Sequence, residues 1–328
     1  MISFVLRRIL QSVIVLLTVG LVAFSLFRFV GDPVENLLGQ ERTVADIERV
    51  RDQLGLNDAF PVQYFNFIKG IVVDGNFGVS FRQGRPVADI IIERAPATLE
   101  LAFVSGLFAI ILGISLGVYT AINREGWISS AIMTLSLVGV SLPTFLIGIL
   151  LIYVFAVELG WLPSFGRGET VQIGWWSTGF LTASGLKALI LPSITLGLYQ
   201  MTLIMRLVRS EMLEVLRSDY VKFARARGLS QRAIHFRHAL KNTLVPVITI
   251  TGLQLGSIIA FAIITETVFQ WPGVGLTFIN AIQFVDIPVM ATYLMLISVL
   301  FVAINLIVDV LYYIVDPRLK SDASSGAN

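Results

Sequence analysis

Apolar residues gather along this chain into six long runs, near 9–29, 100–121, 130–157, 188–205, 243–266 and 287–314. Each reaches or approaches the roughly 20 residues that carry a helix across about 30 Å of hydrocarbon. Their central stretches, such as Leu101 to Thr120 and Val245 to Thr265, hold no Asp, Glu, Lys, Arg or His. The pattern predicts an all-α, polytopic membrane protein with six transmembrane helices. Pro143 and Pro192 fall inside the third and fourth runs and predict kinks there. Gly113 with Gly117, and Gly252 with Gly256, form two GxxxG pairs. Such pairs let helices approach closely, either within one chain or against a second subunit.

The polar intervals complete the outline. Residues 1–30 are the amino-terminal end and first span, 31–98 a folded external segment, 99–316 a five-helix core with an inside loop at 206–242, and 317–328 a tail. In the external segment, Val44, Ile47, Val50 and Leu54 recur at helical spacing and predict a short amphipathic helix ending at Gly55. Asp74-Gly75-Asn76 reads as a turn. The other external loops, near 158–187 and 267–286, carry Trp161, Trp175, Trp176 and Trp271, rings that favour the boundary between membrane and water. Ser321 to Asn328 is the one low-complexity tract and is expected to be disordered.

Composition agrees: 55% of the 328 residues are hydrophobic and 14% charged, far from the soluble mix of about one quarter charged. A net charge of +2 gives no general attraction to nucleic acid. The absence of cysteine removes disulfide, thiolate-metal and cysteine-nucleophile chemistry. A secretory signal fits poorly, because the run from Ile9 to Phe27 exceeds a signal core and its best small-residue triple, Ala23-Phe24-Ser25, lies inside it. Arg7 and Arg8, the basic loop at 206–242, and Arg318 with Lys320 all place themselves inside by the positive-inside rule, so both termini are expected in the cytoplasm.

No energy source is visible. The sequence has no G-x-x-x-x-G-K-[ST] phosphate loop, and its spans lack the mid-membrane charges that proton or sodium coupling calls for. Asp309 lies at the inner end of the last span, where headgroups or an ion pair reach it. That pattern disfavours a stand-alone secondary carrier or channel, the rival of a different class. No nucleophile with its base is apparent, which disfavours a membrane enzyme. His235 and His238 are spaced i, i+3 without a third ligand of the usual kind, so no metal site is expected.

Work must therefore enter from outside, and the inside loop is the candidate entry. Tyr220, Phe223, Ala224 and Arg227 share a helical face, Gly228 is placed to end that helix, and Ser230 to cap a second one. Such a knuckle suits docking into a groove of a partner. It equally suits a basic loop lying on anionic headgroups.

The residues from Asp219-Tyr220-Val221-Lys222-Phe223-Ala224-Arg225-Ala226-Arg227-Gly228 to Arg237-His238-Ala239-Leu240-Lys241-Asn242 resemble the cytoplasmic signature loop of binding-protein-dependent ABC importer permeases. Ala224 and Gly228 match the general form, Glu-Ala-Ala followed by three residues and Gly. Lys222 and Phe223 depart from it toward the dipeptide and oligopeptide branch. Leu54-Gly55-Leu56, Gly75-Asn76-Phe77-Gly78, Pro96-Ala97-Thr98-Leu99-Glu100-Leu101, Glu266 to Gly275, Asp286-Ile287-Pro288, and Asn305 to Asp309 closing on Asp316-Pro317-Arg318 extend the similarity over nearly the whole chain.

The resemblance implies the type I importer permease fold in a bacterial inner membrane, with a second, homologous permease enclosing the path. It implies one or two ABC ATPase subunits that carry ATP and Mg, with no cofactor on this chain. The ATPase-coupling helix would be Asp219, Tyr220, Phe223, Ala224, Arg225, Arg227 and Gly228. Trp271, Pro272, Gly273 and Gly275 would meet a periplasmic binding protein, or else form an interfacial ring and tight turn. The solute implied is a di- or oligopeptide, with nickel chelates, glutathione or another small solute as alternatives. From their positions, Gln200 and Gln254 either line the pathway or bond between helices.

Overall fold

The computed structural model describes residues 2–29, 43, 48–49 and 57–315. The expected amphipathic helix near 44–55, but for residues 48–49, and the tail from 316 lie outside the described residues. The chain divides into two compact units, Met1–Thr98 with Gln172–Thr178 and Pro272–Val302, and Leu99–Val171 with Gly179–Trp271 and Ala303–Asn328.

In the first unit, α1 (Ile2–Phe29) packs on α2 (Phe60–Val72). Pro61 opens α2, where its missing N–H costs nothing. Phe24 meets Phe60, Tyr64 and Phe67 with ring centroids 5.2, 5.8 and 5.4 Å apart, and the Tyr64 hydroxyl donates to the Leu17 carbonyl at 2.6 Å. The other face of α1, including Leu10, Ile14 and Val22, is exposed, as a lipid-facing stripe would be. The expected turn at 74–76 is present: the Asn76 N–H donates to Gly70 O at 2.9 Å, and Gly75 takes φ 61°.

The long helix α3 (Val87–Ile122) begins well before the apolar run that announced it. Asp89, Glu93 and Arg94 interrupt the apolar pattern there, yet Val87, Ile90 and Ala97 around them are buried. After α4 (Trp127–Ser141) and α5 (Thr144–Leu151), wider π-helical turns continue over Ile152–Glu158. The two halves of this third run stand at 111°, so Pro143 breaks the run outright. Pro143 has no N–H to continue the ladder and pushes Leu142 out of the helical region. A short hairpin follows, β1 (Val171–Ile173) and β2 (Trp176–Thr178).

Helix α6 (Ala183–Arg217) runs unbroken through Pro192. Then come α7 (Asp219–Ala226), π-helical turns over Ala233–Ala239, α8 (Leu240–Val268), α9 (Val274–Gln283) and α10 (Ile287–Val315). Within α8, Pro246–Gly252 and Gly256–Val268 incline by 43°. Among the described residues four helices are long and apolar enough to cross a membrane, and the two bent pairs meet the same test as pairs.

The glycine pair in α3 faces α6 of the same chain. A Cβ on Gly113 would lie 2.8 Å from Ile204 Cγ2, and one on Gly117 would lie 2.7 Å from Val208 Cβ and 2.8 Å from the Met205 carbonyl. This answers which partner the motif serves. Gly117→Leu therefore overpacks a backbone contact, at a cost of about 1–3 kcal/mol, and is expected to lower the melting temperature of the purified protein in detergent by several degrees. An unchanged transition would mean that the two helices have slack.

Candidate functional site

Ser218 adopts an extended conformation (φ −66°, ψ 154°) between α6 and α7 and turns the chain off the α6 axis. The inner face of α7 is apolar: Val221 and Ala224 pack with Ile234 and against Val215 and Leu216 of α6. Ala224 thus belongs to the buried side, not to the face of Tyr220 and Phe223 as the sequence pattern suggested. The reason is its i+3 relation to Val221, which puts both on one stripe. Tyr220 and Phe223 are 49% and 62% exposed, large rings facing outward on a helix held from behind.

The end of α7 is a Schellman cap: Gly228 N–H donates to Arg225 O at 2.9 Å and Leu229 N–H to Ala224 O at 3.3 Å, with Gly228 at φ 78°. Ser230 then caps the next helix, accepting from the Ala233 N–H at 3.3 Å. Two further contacts stiffen the knuckle. Tyr220 Oη lies 2.6 Å from His238 Nδ1, and the Arg227 guanidinium sits 5.2 Å from the centre of the Phe223 ring. Asp219 opens the helix and takes a 2.8 Å ion pair from Lys222. That hydrogen bond and charge hold its carboxyl below the usual carboxylate range. Burial, and then the charge of Arg225, push the His235 imidazole below its ordinary value.

Behind the knuckle, Met212 of α6 and Ala239 join Val118 and Ala121 of α3 and Val247 of α8 in one buried cluster. Thr243 donates to the Ala239 carbonyl at 3.0 Å. A push on α7 therefore reaches three long helices through close-packed side chains.

Residues 113–321 match the family described as "Binding-protein-dependent transport system inner membrane component", and residues 1–102 match its N-terminal companion. This chain belongs to that family. Over 98% of its length it is 38% identical to the dipeptide transport system permease protein DppB of Alkalihalophilus pseudofirmus, covering 100% of that protein. It is 39% identical to the di/tripeptide transport system permease protein DppB of Pseudomonas aeruginosa, covering 98% of this chain and 99% of that one. The glutathione transport system permease protein GsiC of Escherichia coli is 36% identical, covering 98% and 99%. Among solved structures, the fold resembles the inward-facing MetNI methionine ABC transporter, with TM-score 0.54 at 20% identity over 69% of this chain and 96% of that one. The chain is the transmembrane permease subunit of an ABC importer.

The permease's other candidate residues are dispersed by the structure. Trp271, Gly273 and Gly275 are buried, and Pro272 is half-buried. Gln270 at φ 47° turns the chain inward, the Trp271 N–H donates to Glu266 O at 2.8 Å, and Trp271 is only 1% exposed. The expectation of an interfacial ring at Trp271 gives way to a core anchor, whereas Trp161 and Trp175 are each 64% exposed. Gln200 donates from Nε2 to Ser257 Oγ at 2.8 Å, joining α6 to α8, and its Oε1 is buried without a hydrogen-bond partner. It also lines an apolar cavity of about 290 Å³ beside Pro143, Leu196, Tyr199, Phe261 and Ile264. The side chains of Gln254 and Asp309 lie outside the described residues.

One pair is not evident from the sequence pattern. Arg167 Nη2 donates to Glu100 Oε2 at 2.6 Å with both side chains buried, and the Gly179 N–H reaches the same oxygen at 3.3 Å. Glu100 stands one residue outside the charge-free stretch that marks the second span. Its position at that edge was the available signal.

Proposed function

We propose that this permease imports di- or oligopeptides, delivered by a periplasmic binding protein, through a path it encloses with a second permease. The reading has six spans, both termini and the 206–242 loop in the cytoplasm, and the 31–98 segment outside. ATP and Mg reside on one or two partner ATPase subunits. Helix α7 docks into a cleft of an ATPase subunit: Tyr220 and Phe223 bury their rings there, and Arg225 and Arg227 set register against acidic groups. Closure of the ATPase pair then moves α3, α6 and α8 through the cluster behind Met212 and Ala239. Gln200, with its unpartnered carbonyl beside the cavity at the Pro143 break, offers an acceptor to a passing amide N–H, and Gln254 is a second candidate for the path by its position in the sequence.

The observation that carries this reading is the exposure of Tyr220 and Phe223 on a short helix whose inner face is locked into the body. The peptide class is supported by the two dipeptide permeases at 38% and 39% identity.

The test is charge reversal, Arg225→Glu with Arg227→Glu, in the full complex reconstituted in vesicles with its binding protein. The expected outcome is normal insertion with ATP hydrolysis that no longer rises on adding loaded binding protein, a loss of roughly tenfold or more for two interfacial charges reversed. Unchanged stimulation would sink the docking role of α7.

A further inference from the structure

A polar pocket of about 370 Å³ opens in the first unit, lined by Arg82, Gln83, Arg94, Pro272, Thr277 and Asn280 among others. Two guanidinium groups from separate elements converge on it, one from the turn before α3 and one from within α3. Arg82 is held in place with unusual thoroughness. Its backbone N–H donates to Asp286 Oδ2 at 3.4 Å, beside the Phe81 N–H on Oδ1 at 3.1 Å. The Ser80 hydroxyl donates to the same carboxylate. Its guanidinium stacks on the Phe284 ring, 3.4 Å from the centroid.

The turn that supplies both Phe284 and Asp286 is strained, because Val285 between them sits at φ 54°, a region that β-branched residues avoid. Residues held in such conformations cluster where a side chain must be aimed. Here the strain sends Phe284 under Arg82 and Asp286 into the turn's amides. Asp286 spends its oxygens on those amides and Ser80. Glu93 is shared between Arg85 at 3.2 Å and Arg94 at 3.4 Å, with all three side chains well exposed. Asp286 also lines the pocket, so two guanidinium groups face one carboxylate already taken up by hydrogen bonds, and the pocket presents a net positive charge, a planar and preorganised donor fork, and neutral polar groups from α9.

We infer that this pocket is a carboxylate-binding site which receives an acidic side chain of the periplasmic binding protein. The inference rests on the import reading above and adds the residues and chemistry of the docking contact. Planar guanidinium pairs with carboxylate by two parallel N–H bonds. Stacking on Phe284 leaves the edge of Arg82 free for that geometry. Pro272 lies on the pocket wall, so one of the four residues tied to binding-protein contact by resemblance reaches this site while its neighbours are buried.

The test uses the complete complex in nanodiscs, with ATP hydrolysis titrated by its binding protein loaded with trialanine. Arg82→Gln with Arg94→Gln is expected to raise the half-saturating concentration of binding protein about tenfold at about 0.05 M salt, and to flatten its dependence on salt up to about 0.5 M. Arg82→Lys with Arg94→Lys keeps the charge and is expected to restore the salt dependence. An unchanged half-saturation, or equal losses in the Gln and Lys pairs, overturns the inference. A loss seen with trialanine and absent with trialanine amide also overturns it, since the pocket would then read the peptide's own carboxylate. Absence of any stimulation of the wild-type complex would instead remove the import reading on which the site depends.

Discussion

Gly228→Pro is expected to abolish the stimulation of ATP turnover by loaded binding protein while the permease still inserts at its normal level. Proline fixes φ near −65°, and Gly228 sits at φ 78°. The substitution also deletes the N–H that donates to Arg225 O, and the turn it forces displaces the Leu229 bond to Ala224 O. A penalty of about 3 kcal/mol on this short helix corresponds to roughly a hundredfold fall in the docked population. Gly228→Ala grades the effect. No atom stands within 4 Å of a Cβ built there, so alanine meets only the left-handed penalty of about 1–2 kcal/mol. ATP hydrolysis by the reconstituted complex, with and without loaded binding protein, separates the two variants. Equal stimulation in Gly228→Pro and wild type would refute the lever.

Arg167→Met is expected to be the most destabilising single change outside the helix contacts, at about 3–5 kcal/mol, because it leaves the Glu100 carboxylate buried without its cation. Glu100→Leu with Arg167→Met should recover most of that loss, since a buried ion pair contributes little over a well-packed apolar pair. Thermal unfolding of the wild type, both single variants and the double variant in one detergent gives the coupling directly. Additive losses would show that the pair is incidental. Strong coupling would establish it as the fastening that holds the loop around Arg167 to the second unit's share of α3.

Helix α7 and its ends were legible because their causes are local. A glycine free to adopt positive φ, a serine able to cap, and apolar residues three apart are all written within Asp219 to Ala233. Which face looks inward was not so legible: Ala224 sits at the edge of both stripes, and only Val215, Leu216 and Ile234 assign it to the core. The Glu100–Arg167 pair joins residues 67 apart in sequence, and neither residue carries a mark of the other. Helix α2 was missed although its signal is local: Phe60, Tyr64 and Phe67 recur at helical spacing, and Phe24 of α1 covers the stripe they form.

The two prolines show the limit most plainly. Both interrupt apolar runs, yet the helix breaks by 111° at Pro143 and continues through Pro192. Pro192 is buried between neighbours that are themselves buried, so packing on α6 holds the helix across the missing hydrogen bond. Pro143 is exposed, and nothing equivalent restrains it. Hydropathy and turn chemistry determined by themselves a set of apolar helices long enough to cross a membrane and one short helix ended by Gly228, because insertion and turn chemistry are properties of short segments. The contact partners of its glycines, prolines and buried charges were decided only by the tertiary structure, because close packing depends on side chains far apart along the chain.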